Sequence, residues 1–158
     1  MIGKLRSTNY VFSGKIKLFA AISFSLYLLV LFYLLFFSAY RRGVKGSIDY
    51  NIIPFQSIYQ YVSGFEKFGL HLLTDNFFGN MLAFVPLGLL LPILFSRMRS
   101  SRIVTIFSSL LSVSVETAQL IARVGAFDVD DILLNTVGGI IGYMIFRVLL
   151  KSFIKLDN

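Results

Sequence analysis

The chain has 158 residues, 56% of them hydrophobic, and a mean hydropathy of +0.78 with only 15% charged residues, which excludes an ordinary soluble domain and reads as one compact membrane bundle. Cysteine is absent and His71 is the single histidine, so disulfides, thiolate metal sites and a multi-histidine centre within one chain are excluded. The net charge of +7 reads as membrane topology and attraction to anionic headgroups rather than as a nucleic-acid surface.

Residues 1–17 read as a cytoplasmic N-terminal segment. Leu18–Tyr40 follows, an apolar run of 23 residues without charge, Gly or Pro. It is too long for the apolar core of a signal peptide and no small-residue cleavage site follows it, so it reads as a retained span. Three further runs, Phe77–Phe95, Ile103–Ala122 and Ile132–Leu150, each approach the roughly 20 residues that cross a bilayer core at 1.5 Å per residue. The expected fold is therefore an all-α membrane protein. Four transmembrane helices (about 18–40, 77–95, 103–122 and 132–150) form one bundle over residues 18–150, followed by a cytoplasmic tail at 151–158.

Lys and Arg set the orientation. The N-terminal segment, the Ser96–Arg102 turn and the tail from Arg147 hold ten of them; the other two connections hold five, namely Arg41, Arg42, Lys45, Lys67 and Arg123. The bias places both termini and the middle turn in the cytoplasm. Asp49, Glu66, Asp75, Asp128, Asp130 and Asp131 then fall in the outer connections.

The first outer connection, Arg41–Asn76, is long for a simple linker. Asn51-Ile52-Ile53-Pro54-Phe55 reads as extended, because the residue before proline avoids the helical region. Phe55, Ile58, Tyr59, Val62 and Phe65 then form an amphipathic stripe, an interfacial helix lying on the outer leaflet or packed against the bundle.

The second span opens with Asn76 and Asn80, which share a face with Ala83 and suit an intramembrane hydrogen-bond network. Pro86, and later Pro92, should bend it. In the third span Thr105, Ser109, Ser112, Glu116, Gln119 and Arg123 recur at steps of three and four, a continuous polar stripe that should face other helices or a wet cavity. Arg123 could reach back toward Glu116 through Gln119. Beyond it, Asp128, Asp130 and Asp131 crowd four positions. One of them could serve as an N-cap; three exceed a cap's need and could hold a hard cation or a cationic substrate group, but the missing Ca²⁺-loop spacing disfavours a metal. In the fourth span Gly138 and Gly142 make a GxxxG pair for close helix approach. Asp131 and Asn135 share their stripe and should face the same neighbour.

Four motifs in order resemble the VanZ-like family of small bacterial membrane proteins, named after a teicoplanin-resistance protein. They are Asn51-Ile-Ile-Pro54-Phe55; Asp75-Asn76-x-x-Gly79-Asn80-x-x-x-Phe84-x-Pro86-x-Gly88; Glu116-x-x-Gln119; and Asp128-x-Asp130-Asp131-x-x-x-Asn135-Thr136-x-Gly138-Gly139-x-x-Gly142. The resemblance covers about Asn51 to Tyr143. It implies a multi-pass protein of the bacterial plasma membrane and a link to glycopeptide or lipopeptide susceptibility, and it supplies no reaction.

The outward polar cluster Asn76, Asn80, Glu116, Gln119, Arg123, Asp128, Asp130, Asp131 and Asn135 is the expected ligand site. Its expected ligand is an outer-leaflet lipid or a lipid-linked wall precursor. Arg123 suits an anionic headgroup, and Glu116 an acid, base or hydrogen-bond role. No activated nucleophile, histidine base or phosphate loop accompanies them, so binding is favoured over catalysis, with no cofactor and no metal. A membrane enzyme acting on a lipid-linked substrate and a small proton-coupled transporter are the alternatives. The GxxxG face leaves room for a homo-oligomer or a membrane-protein partner.

Overall fold

The structure is a computed structural model in which residues 11–37, 49–63 and 77–156 are described. Helix α1 (Gly14–Phe36) begins behind Ser13, whose hydroxyl accepts the Ile16 N–H, four residues before the apolar run itself starts. Strand β1 (Tyr50–Asn51) leads into the short helix α2 (Gln56–Ser63). Helix α3 (Gly79–Leu94) carries Pro86 and Pro92. A 3-10 turn at Ser96–Met98 joins it to α4 (Ser101–Ala122). Strand β2 (Phe127–Asp128) precedes α5 (Val129–Leu156).

Among the described residues three helices are long and apolar enough to cross a membrane: Gly14–Phe36, Ser101–Ala122 and Val129–Leu150. The expected second span is shorter than its apolar run. Its α-helix has 16 residues, about 24 Å at 1.5 Å per residue, because Phe77–Phe78 form a π turn and Phe95 turns extended. The fourth helix starts earlier than its apolar run, because Asp130 and Asp131 sit inside its first turn, where the helix dipole favours carboxylates. The all-α expectation misses one detail, the parallel pairing of β1 with β2, Tyr50 opposite Phe127 and Asn51 opposite Asp128.

Helices α3 and α5 run in the same direction, backbone against backbone. A Cβ on Gly138 would land on the Met81 carbonyl, one on Gly142 on the Val85 carbonyl, and one on Gly88 on the Gly139 carbonyl. The GxxxG expectation thus finds its neighbour in α3. Helix α1 lies outside this pair. Its Phe24 and Tyr27 pack on Phe84, Leu87 and Leu91 of α3. Pro86 lacks the N–H that would bond the Leu82 carbonyl; one residue on, the Tyr27 hydroxyl donates to the Ala83 carbonyl at 2.8 Å.

One end of the bundle gathers the start of α1, the α3–α4 turn and the last turns of α5. Phe12, Val104, Tyr143, Phe146 and Leu150 form its apolar cluster. Arg99 is buried there, its Nε donating to the Pro92 carbonyl at 3.0 Å and its guanidinium 5.2 Å from the Phe12 ring. Burial pulls the Arg99 guanidinium below its ordinary pKa, and a carbonyl at the negative end of α3 plus the ring face offset that cost.

Candidate functional site

The other end of the bundle holds the polar residues. Along α4 the buried row is Val104, Ser108, Ser112, Glu116 and Gln119, at steps of four, four, four and three. The row is rotated slightly from the expected stripe. Thr105 and Ser109 are half-buried beside it, and Ser108, which the stripe omitted, lies wholly inside. Arg123 leaves the row altogether. It adopts φ 54° at the end of α4, with its N–H donating to the Leu120 carbonyl and the Val124 N–H donating to the Gln119 carbonyl. That is a Schellman motif with arginine in the left-handed position usually filled by glycine. The helix ends there, so the Arg123 side chain is exposed rather than laid along the row toward Glu116.

The α4–α5 seam is built from small and polar side chains. Ser108 packs against Gly139, where a Cβ would strike its hydroxyl. Ser109 and Thr136 share a hydrogen bond of 3.0 Å, and the Asn135 amide donates to the Ser112 hydroxyl at 2.8 Å. Asn135 therefore faces α4 while Gly138 and Gly142 face α3, not one shared neighbour as expected. The two sets lie on adjacent sides of a helix wedged between two partners.

Glu116 and Gln119 tie this seam to its surroundings. Glu116 accepts the Asp128 N–H at 3.2 Å, and the Gln119 amide donates 2.9 Å to the Leu35 carbonyl in the last turn of α1. Among the described residues, Gln119 Oε1, Asn135 Oδ1 and Ser108 Oγ are buried without a hydrogen-bond partner. Such groups cost about 1–3 kcal/mol each when left unmet, so this interior holds unused capacity to bind polar atoms.

Two of the three clustered aspartates are spent on residues 51–58. Asp130, fully buried, accepts backbone N–H groups from Phe55 (2.6 Å), Ser57 (2.8 Å) and Ile58 (3.2 Å). It thus caps the N-terminus of α2 from across the fold, where free N–H groups and the helix dipole both favour a carboxylate. Asp128 accepts from the Asn51 amide (3.1 Å), the Asp130 N–H (2.8 Å) and the Ser57 hydroxyl. Asn51 also donates to Ser57 at 2.9 Å and accepts from the Ile53 N–H. Asp131 is half-buried in the first turn of α5. Asn80 is half-buried near the start of α3, and Asn76 lies outside the described residues.

Ser57 and Asn51 were not among the expected site residues. Asn51 was visible as the first residue of the extended motif; Ser57, one polar residue among the non-stripe positions of the amphipathic helix, gave no signal. The clamp of Asp128 and Asp130 on residues 51–58, the Glu116–Asp128 link and the glycine seam together use the Asn51, Glu116, Asp128–Asp130 and Gly138–Gly142 motifs of the sequence. The profile of the VanZ/LLP1 family matches residues 24–151. The chain belongs to the VanZ/LLP1 family. Its VanZ/LLP1 region begins inside α1 and includes the whole clamp, the buried row and the glycine seam. The chain is also 30% identical over 125 residues to Protein VanZ of Enterococcus faecium, an alignment covering 77% of this chain and 70% of that protein. No solved structure matches this VanZ/LLP1 chain.

Proposed function

We propose that this VanZ/LLP1 protein is a multi-pass protein of the bacterial cell envelope that binds an outer-leaflet lipid or lipid-linked wall component through the α4–α5 interior, and thereby lowers susceptibility to teicoplanin-type glycopeptides. The observation that carries this reading is the row Ser112, Glu116 and Gln119 with Asn135. These are buried polar groups inside helices of bilayer length, and two amide oxygens among them have unmet capacity. A carboxylate in such a segment is costly, roughly 2.5–3.5 kcal/mol on insertion scales, so it is kept for a partner or a task. Asp128 and Asp130 support the site by holding residues 51–58, and Asn80, Asp131 and Arg123 complete it in this reading. Both termini are cytoplasmic in this reading, with α3 as a fourth crossing. The gathering of Arg97, Arg99, Arg102 and Arg147 near the end opposite the aspartates favours this orientation.

The test is a susceptibility comparison in a Gram-positive host carrying empty vector, wild type, Glu116→Gln or Gln119→Leu, with membrane abundance matched and teicoplanin, vancomycin and daptomycin run in parallel. Selective protection by wild type, lost in both variants, is the expected result. Equal protection by the variants would make the row structural, and no protection by wild type would remove the resistance reading for this member. An enzyme or a proton-coupled carrier remains the second reading only through Glu116; hydrolysis or pH-driven flux in proteoliposomes, lost in Glu116→Gln, would favour it.

A further inference from the structure

Within the described residues 49–63, most of the apolar side chains stay exposed. Tyr50, Ile52, Ile53, Phe55, Tyr59 and Val62 are between 57% and 72% exposed, all within thirteen residues. They are nevertheless held firmly. Ile53–Gln56 is a turn closed by the Gln56 N–H on the Ile53 carbonyl, with Phe55 at φ 66° in the position where such turns normally demand glycine. A bulky residue there is sterically strained, and the buried Asp130 carboxylate, bonded to the Phe55, Ser57 and Ile58 N–H groups, imposes it. An apolar patch that is rigidly displayed rather than folded inward marks a contact surface.

Its level in the fold identifies the contact. The pairing of Asn51 with Asp128 fixes the patch beside β2, which lies between the end of one bilayer-length helix at Ala122 and the start of the next at Val129. The patch therefore sits at the boundary where spans leave the hydrocarbon. Its chemistry suits that layer: tyrosines with amphipathic rings beside isoleucine and phenylalanine. Residues 49–63 contain one acidic group, Asp49, and no Lys, Arg or His. We propose that Tyr50–Val62 is a preorganised foot that seats on the lipid surface of the membrane, its Ile52-Ile53-Pro54-Phe55 tip dipping into the upper acyl region, and that this seating is driven by apolar burial without a requirement for anionic lipid. It does not depend on what the α4–α5 interior binds.

The chain contains no tryptophan, so single-tryptophan probes are clean. Ile53→Trp, Phe55→Trp and Tyr59→Trp, with Arg97→Trp as a control in the turn at the opposite end, are reconstituted in nanodiscs, which leave both faces open to aqueous iodide. Side chains of an interfacial segment reach about 5–10 Å below the headgroup boundary, so lipid brominated high on the acyl chain should quench the Ile53 and Phe55 probes at least roughly twofold while iodide leaves them nearly unchanged. The result should be the same in phosphatidylcholine discs and in discs containing phosphatidylglycerol. Quenching by iodide with none by brominated lipid would place the foot in water and overturn the proposal. Protection from both quenchers would show that protein covers it, and overturns it equally. A requirement for phosphatidylglycerol would overturn the charge-independent seating. Three independent probe positions keep the test decisive if one variant fails to fold.

Discussion

Among the described residues two that are not glycine hold the left-handed backbone region, Phe55 and Arg123, and they do so for different reasons. Phe55 is compelled by Asp130, whose three N–H partners turn a buried charge into a cap. Replacing one carboxylate oxygen by an amide group, as in Asp130→Asn, sets N–H groups facing each other and removes charge-assisted bonds worth about 1.5–3 kcal/mol each. Asp130→Asn is expected to lower unfolding free energy by about 2–4 kcal/mol, read as a drop in the denaturation midpoint of the detergent-solubilised protein. A change below half a kilocalorie would mean that water replaces the clamp at no cost. Arg123 has no such enforcer, because its position follows from the Schellman turn alone. Arg123→Gly should therefore raise stability by about 1 kcal/mol. If its midpoint instead falls, the guanidinium contributes contacts that outweigh the strain.

Among the elements, α5 is the one on which the others depend, since it presents glycines to α3 and hydroxyl and amide groups to α4. Lipid supplies no hydrophobic drive for helix association, so close backbone approach and interhelical hydrogen bonds carry the cohesion. Gly142→Val places a branched side chain on the Val85 carbonyl. It should separate α3 from α5 at a cost of at least 1–3 kcal/mol, seen as loss of folded protein by size exclusion and thermal scan. Gly14→Ala is the matched control, because a Cβ there meets nothing within 4 Å. Much at this scale was legible in the sequence. The apolar runs gave the long helices, and the GxxxG spacing gave a close-packed face. What stayed hidden was direction. Spacing puts Asn135 and Gly138 on neighbouring sides of one helix, but only the three-dimensional wedge shows that one side meets α4 and the other α3. The aspartates were legible as a cluster and not as a clamp, because their partners are backbone N–H groups more than seventy residues away, and a backbone donor has no letter in the sequence.

For the whole molecule the division of labour runs end to end. Basic side chains and an aromatic cluster sit where α1 begins and α5 nears its close; carboxylates, amides and the strand pair sit at the opposite end. Charge asymmetry of this kind sets insertion orientation. With no native cysteine, Arg97→Cys and Ala126→Cys report it directly. In intact cells an impermeant maleimide should label Ala126→Cys and spare Arg97→Cys until the membrane is opened, and the reverse pattern would invert the topology.

The strand pair also fixes an order of events. Its β1 partner leaves the ribosome some seventy-seven residues before β2, the separation across the Asn51–Asp128 bond. During synthesis the segment 49–63 must therefore wait, uncapped and with Phe55 still free of its left-handed conformation, until the start of α5 emerges. Closure of Asp128 and Asp130 onto it is consequently a completion signal written into the fold, a latch that shuts only on a chain whose later helices have arrived. Nascent chains truncated before Phe127 should leave residues 49–63 open to protease, while chains that include α5 resist it.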